Sequence, residues 1–218
     1  MNTADVKRIQ VFFDDYTRGF SAEDGQLSLP LRIKVEHCRH VAEDCGDIAR
    51  ELGWDESGVA SALVLGYLHD IGRFSQYTQY KTFRDRDSVN HAPLGCEVLE
   101  HARILEVFSA EDRQVVHDGV LYHNRRELPP GIPESSLRFI KLVRDADKLD
   151  IFRVVYEAVE NDHLRDYPEI TLGLDLDGPV SPDLLEDIRN GQMGGYHKLK
   201  SLMDVYLVQV SWVYDFNY

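Results

Sequence analysis

The chain has few of the features that staple small secreted proteins or anchor membrane proteins. Its three cysteines, Cys38, Cys45 and Cys96, are odd in number and lack C-x-x-C spacing, which argues against a disulfide framework and against a zinc knuckle. Their expected place is as small buried hydrophobes in a reducing compartment. No apolar run approaches the ~18 residues of a membrane span, and MNTADVKRIQ lacks the apolar core of a secretory signal. The expectation is therefore a cytoplasmic protein with no membrane partner. Basic residues are in deficit, 24 against 38 acidic, giving a net charge of −14 over 218 residues. Such a surface repels polyanions, so long nucleic acid is excluded as a partner. Alternating runs bounded by turn residues are missing, which leaves no convincing sheet. Repeats, low-complexity tracts and composition shifts are missing too, so a single domain spanning 1–218 is expected, long enough to bury a substantial core.

What is present is helical periodicity, and the predicted fold class is all-α. A short helix is expected over 5–16, then a loop over 19–30. Across 31–52 the residues Cys38, Val41, Ala42, Cys45, Ile48, Ala49 and Leu52 recur at three- and four-residue steps, the pattern of one buried face. Asp55 is a candidate N-cap for a helix whose 59–68 stretch is apolar nearly all round, and so central, ending near Gly72. Residues 73–90 show no clear periodicity and read as a polar, aromatic lid or a plain surface loop. Helices are expected to resume over 91–107, over 110–123 behind the capping pattern Ser109 and Asp112, over 135–160 after the break LPPGIP, and over 182–190 and 196–214.

Position on these helices sorts the histidines and aspartates. At 100° per residue the 31–52 stripe spans roughly 120°, with His37 about 20° outside it and His40 about 80° outside. His37 can face an internal cleft; His40 is the better candidate for solvent or for a supporting contact behind the cleft. Alone, His37 also fits a hydrogen-bonded boundary histidine. VLGYLHDIGRF is more telling, because adjacent His69 and Asp70 end a nearly all-apolar segment. Burying an unpartnered carboxylate costs several kcal/mol, and a divalent cation satisfies both it and a neutral imidazole. A helix-capping or ion-paired Asp70 is the plainer alternative. In VRDADKLDIFRVV, Asp147 lies mid-stripe among Ile140, Val143, Ile151, Val154 and Ala158, Asp150 near its edge and Asp145 on the opposite face. Asp147 needs a cation, which a metal, Lys148 or an arginine can supply.

A histidine, then a His-Asp pair, then a distant aspartate resembles the HD-domain superfamily of metal-dependent phosphohydrolases. The resemblance runs over about 33–159, through EHCRHVAEDCGDIA, ALVLGYLHDIGRF, SVNHAPLGCEVLE, GVLYHN and RDADKLD. It implies an HD-type helical bundle with a core at about 31–160 and a C-terminal helical extension over about 161–218. His37, His69, Asp70 and Asp147 are implied as its metal ligands. Some members hold a second ion with further histidines. His91 and His123 match those positions, over His101 and His117, which periodicity alone does not separate from them. A single ion, with His91 and His123 binding substrate phosphate, fits the same resemblance.

The implied cofactor is one or two divalent transition-metal ions, of Mn, Fe, Co, Ni or Zn, and the implied reaction is hydrolysis of a small phosphorylated metabolite or nucleotide. With two ions Asp70 is the expected bridge and a catalytic group. Arg73, one turn beyond it, is a candidate for neutralising substrate phosphate. Lys148 is a candidate for the same task or for protonating a leaving oxygen; surface ion pairing is the plainer reading of both. Lys81, Arg84 and Arg86 make a basic cluster in the 73–90 segment, though Asp85 and Asp87 interrupt it. Tyr77, Tyr80 and Phe83 there suit stacking on a base or packing the segment down. Two rival functions stay open, a metal-containing ligand-binding or regulatory module and a diiron oxygenase. The chain does not display the Gly-Tyr-Pro extension of cyclic-di-nucleotide phosphodiesterases, and no attached synthetase or sensor domain is seen. Homo-oligomerisation is left open.

Overall fold

Local capping chemistry sets most helix starts in the computed structural model, which describes residues 1–161 and 174–218. In α1, Thr3–Arg18, the Asn2 side chain accepts from Ala4 and Asp5 N–H groups, and the Asp5 carboxylate accepts from the Asn2 N–H. Such reciprocal capping satisfies donors that a helix start leaves orphaned. Val6, Ile9 and Phe13 form its buried face. The predicted stripe of α2, Leu29–Glu51, is buried at Cys38, Val41, Ala42, Cys45 and Ala49. Asp55 caps α3, Glu56–Leu68, by accepting from Gly58 N–H at 2.8 Å. As its apolar sequence requires, α3 is buried on nearly every side and packs against α1, α2 and the later α6.

The helices α2 and α3 approach closely at one glycine. A Cβ on Gly66 would stand 2.4 Å from the Ala42 Cα and 2.7 Å from its nitrogen. Only a residue without a side chain lets these two backbones meet there, and beyond that contact the ring centres of His37 on α2 and His69 at the end of α3 stand 5.3 Å apart.

The segment after Gly72 differs from its aperiodic reading. Helix α4 spans Gly72–Tyr80, and only 81–90 forms the connector, with a short 3₁₀ turn at Asp85–Asp87. Two inward positions replace a stripe: Phe74, edge-on to Phe13 and Tyr16, and Gln76, wholly buried but hydrogen-bonded to Asp85, Ser88 and Val89. A polar residue on the buried face erases the apolar period that marks a helix. Helix α5, His91–Ala102, follows, and a Cβ on Gly72 would stand 2.3 Å from the His91 carbonyl oxygen, so α4 and α5 also meet at a glycine. Ser109 caps α6, Ala110–Tyr122. The long α7 covers Glu134–Glu160. Asp145 is buried, 2% exposed, although it faces away from Asp147, so α7 is covered on more than the one side that its stripe suggested.

The described residues form two compact units, Met1–Leu149 and Asp150–Tyr218. The second contains α8, Pro182–Arg189, and α9, Leu202–Ser211, around Leu184, Val208 and Trp212. Its expected 196–214 helix is interrupted because Ser201 and Asp204 form a capping box that starts α9 afresh. The fold is all-α. Among the described residues the one extended pairing is an isolated parallel bridge, Asp175 to Ser201, and no helix is long and apolar enough to cross a membrane.

Candidate metal centre

Three helix ends and two helix interiors of the first unit bring six side chains together. His37 comes from the middle of α2 and is 2% exposed, whereas His40 is only half-buried. His69 is the C-cap of α3 and wholly buried, with Asp70 next to it. His91 opens α5, His123 is the C-cap of α6, and Asp147 comes from α7. His101 and His117 lie elsewhere, exposed and half-buried respectively.

Asp70 stands at the centre and points its two oxygens in different directions. Its Oδ2 faces His37 Nε2 at 3.6 Å and His69 Nε2 at 3.7 Å. Its Oδ1 faces His91 Nε2 at 3.2 Å and His123 Nε2 at 3.5 Å. Asp147 closes the first cluster, with Oδ1 3.2 Å from His37 Nε2 and 3.8 Å from His69 Nε2. Two candidate ligand sets result, His37, His69 and Asp70 in one and Asp70, His91 and His123 in the other, with Asp70 common to both.

The hydrogen bonds fix which ring nitrogen carries the proton. His69 Nδ1 lies 2.7 Å from the Gly66 carbonyl oxygen and His123 Nδ1 lies 2.8 Å from that of Val120. A carbonyl only accepts, so each Nδ1 donates, and in the neutral ring Nε2 keeps its lone pair. Burial, against the pull of Asp70 and Asp147, lowers the His69 pKa to about 4, so its ring is neutral near pH 7. Its Nε2 is buried and makes no hydrogen bond among the described residues. A basic nitrogen so placed fits a metal ligand. Burial resists ionisation of Asp70, but Lys34, His69, Arg73 and His91 outweigh it and hold the carboxyl well below its usual range. Asp147 is likewise depressed against burial, chiefly by His37.

The second set repeats the pattern. His91 Nδ1 lies 2.9 Å from both oxygens of Asp85, whose pKa falls to about 2 because His91, Arg73 and Gln76 outweigh its burial. An ionised carboxylate accepts only, so this Nδ1 also donates. His91 Nε2 then meets His123 Nε2 at 2.9 Å. With both Nδ1 atoms donating elsewhere, that contact requires a shared proton or a cation between the two nitrogens. The imidazole and carboxylate donor sets suit a divalent transition metal.

The HD domain family model matches residues 35–151, more than half of the chain. The chain belongs to the HD domain family. No curated protein and no solved structure matches it.

Around the paired sets this HD domain carries cations. Lys34, one turn before His37 on α2, donates to Asp70 Oδ2 at 2.9 Å and lies 5.7 Å from the Phe83 ring centre. Sequence reasoning passed over it, although its spacing of three from His37 puts both on neighbouring parts of one helix surface. Arg73 turns one terminal nitrogen to Asp85, Gln76 and the Phe83 carbonyl, while its Nε lies 3.5 Å from Asp70 Oδ1. The Lys148 ammonium is mostly buried and lies 3.8 Å from Asp145 Oδ1. In the connector, Arg84 and Arg86 pair with Asp87, Lys81 is exposed, and Phe83 packs on Tyr77 with ring centres 4.7 Å apart. All three Cys thiols are buried, and burial pushes Cys96 up to about 12.

Proposed function

We propose that this HD domain is a metal-dependent phosphohydrolase acting on a small phosphate ester, with His37, His69, Asp70 and Asp147 holding one divalent ion and Asp70, His91 and His123 a second. The observation that carries the reading is the division of Asp70: each oxygen faces a pair of Nε2 atoms, and those of His69, His91 and His123 belong to rings whose Nδ1–H is already committed. Bound divalent ions supply a water of lowered pKa and draw charge from phosphoryl oxygens.

The chain's own residues orient that chemistry. Gly66 and Val120 carbonyls hold two rings with their lone pairs inward, and low carboxyl pKa values keep Asp70 and Asp147 ionised near neutral pH. Lys34 remains partly exposed, 18% for its side chain, while touching Asp70, so we assign it first contact with the incoming phosphoryl group. The Arg73 Nε edge faces the other Asp70 oxygen and adds positive charge there. Lys148 pairs with Asp145 and is assigned no contact with the substrate. The strongly acidic chain, at −14 overall, fits a small anion drawn to this local cationic group better than a long polyanion.

The test combines metal analysis of the purified protein with a screen of phosphomonoesters and phosphodiesters over added divalent metals, run on wild type, His69→Ala and Asp70→Ala. Loss of the first ion in His69→Ala, of both ions in Asp70→Ala, and of turnover in both variants is expected. Unchanged metal content in both overturns the site. Metal bound without turnover of any ester favours a binding module instead, and activity that needs dioxygen favours oxygenation.

A further inference from the structure

The three histidines with assigned ring protons are not held in the same way. His69 and His123 are C-caps of α3 and α6, and each donates its Nδ1–H to a carbonyl three residues back, Gly66 or Val120. The last turn of a helix leaves such carbonyls without intrahelical donors. These two rings are thus oriented by their own helix ends. His91 is the first residue of α5, where orphan groups are N–H donors rather than carbonyls. Its helix offers nothing for Nδ1–H to bond. The partner has to come from elsewhere, and it is Asp85, in the connector between α4 and α5.

Asp85 is tied from several directions at once. Besides both contacts to His91 Nδ1, it accepts from Arg73 at 2.9 Å, from Gln76 Nε2 at 2.9 Å and from Asn124 Nδ2 at 3.3 Å. Those donors belong to the start and middle of α4 and to the residue after His123. Asn124 also donates to Asn90, the N-cap of α5, at 2.8 Å. Within the sign-alternating run Arg84 to Asp87, the neighbours Arg86 and Asp87 are exposed, with side chains 67% and 47% accessible. Of the two carboxylates in the run, Asp85 faces the site and Asp87 faces water.

We propose that Asp85 is a positioning residue: it selects the Nδ1–H form of His91 and so makes the second ion position conditional on the connector 81–90 being seated. The proposal rests on the two-ion reading above. A carboxylate on the outer nitrogen of a ligating imidazole orients the ring and raises its basicity, and loss of such a partner typically weakens metal binding by about 10–100-fold. The first ion position, whose His69 is oriented by Gly66, does not depend on Asp85.

Two measurements on the full chain test this. Nitrogen-15 NMR of the imidazoles in metal-free protein reads the tautomer of His91, and manganese titration with elemental analysis reads each affinity, for wild type, Asp85→Ala, Asp85→Asn and His91→Ala. Wild type is expected to hold His91 protonated at Nδ1, Asp85→Ala to show a mixture, and Asp85→Asn, which keeps an acceptor oxygen, to stay close to wild type. Second-ion affinity falls about 10–100-fold in Asp85→Ala and the first is unchanged, which also shows that the variant is folded. Trypsin cleavage at Lys81, Arg84 and Arg86 becomes faster in Asp85→Ala and is no longer slowed by manganese. A wild-type tautomer with both affinities intact in Asp85→Ala overturns the proposal. If wild type takes up one ion, lost in His69→Ala and kept in His91→Ala, the two-ion reading and the link to metal both fall, and the tautomer comparison alone then decides whether Asp85 orients His91.

Discussion

Replacing Gly66 by alanine puts a general rule against a specific contact. In an exposed helix interior the change stabilises by about 1 kcal/mol, because alanine loses less backbone entropy and shields the helix better. In this chain the new methyl carbon meets the Ala42 Cα at 2.4 Å, its nitrogen at 2.7 Å and the Val41 carbonyl oxygen at 2.9 Å. All three are backbone atoms of α2, so no rotamer change relieves the overlap and the two helices have to separate by about 1 Å to restore ordinary contact. Overpacking of a close-packed interior costs about 1–3 kcal/mol, and a rigid obstacle puts this case at the top of that range. Set against the propensity gain, the net loss is about 2 kcal/mol, or about 4–8 °C in melting temperature for a domain of this size. Separation also moves His37 on α2 away from His69 on α3, so first-ion affinity falls with stability. Gly119→Ala is the control: its methyl meets the Leu65 side chain, at 2.4 Å from Cδ1, and a side chain can turn aside where a backbone cannot. Thermal and urea melts of both variants, with metal titration, provide the measurement. A Gly66→Ala protein that melts at or above wild type, or one less affected than Gly119→Ala, would refute the reasoning.

Other outcomes follow from the same geometry. Lys34→Met keeps most of the side chain's apolar stem and removes the charge beside Asp70; turnover of phosphate esters should fall about 10-fold or more while metal content stays, a split that steady-state kinetics with elemental analysis reads directly. His91→Ala should lose the second ion alone and His69→Ala the first, which calorimetric titration separates. In the second unit, Asp204 accepts from Ser181 N–H and hydroxyl and from Lys200 and Ser201 N–H groups, and these bonds outweigh burial and depress its carboxyl. A depressed carboxyl stabilises the fold above its unfolded pKa of about 4 and loses that contribution as pH falls through the lower folded value. Asp204→Ala should therefore cost about 2–4 kcal/mol at neutral pH and flatten the acid limb of a stability profile measured by urea melts. An unchanged acid limb would contradict the assignment.

The parts of this protein that sequence exposed are those where one physical rule acted alone. Helix phase separated His37 from His40 because α2 has a single apolar stripe, and the buried and half-buried states follow it. The start of α3 was readable because Asp55 caps it within three residues. Where two rules compete, the signal vanishes. Helix α4 carries Gln76 on its buried face, fully satisfied by Asp85, Ser88 and Val89, so a hydrogen-bond network stands where an apolar residue would have announced a helix. Asp145 has a similar history: on a helix covered from more than one side, the face opposite the main stripe is buried as well. Asp85 lay in a segment that read as a lid or surface loop, Lys34 drew no reading at all, and nothing in composition distinguishes the one charge of a run that turns inward.

That blindness has a structural cause. A ring oriented by its own helix end needs only local sequence: a histidine at the C-cap, with the acceptor three residues earlier, is satisfied wherever that helix is placed. A ring at a helix start has no such acceptor, so its partner must be delivered by another segment and by the tertiary fold. The first ion position therefore depends on α2, α3 and α7 being packed together, which the core enforces, whereas the second depends on a connector whose own hold comes from polar contacts around one carboxylate. Polar contacts of that kind open more readily than an apolar core. If only one of the two positions responds to substrate, ionic strength or proteolysis of the chain, it should be the one that His91 completes.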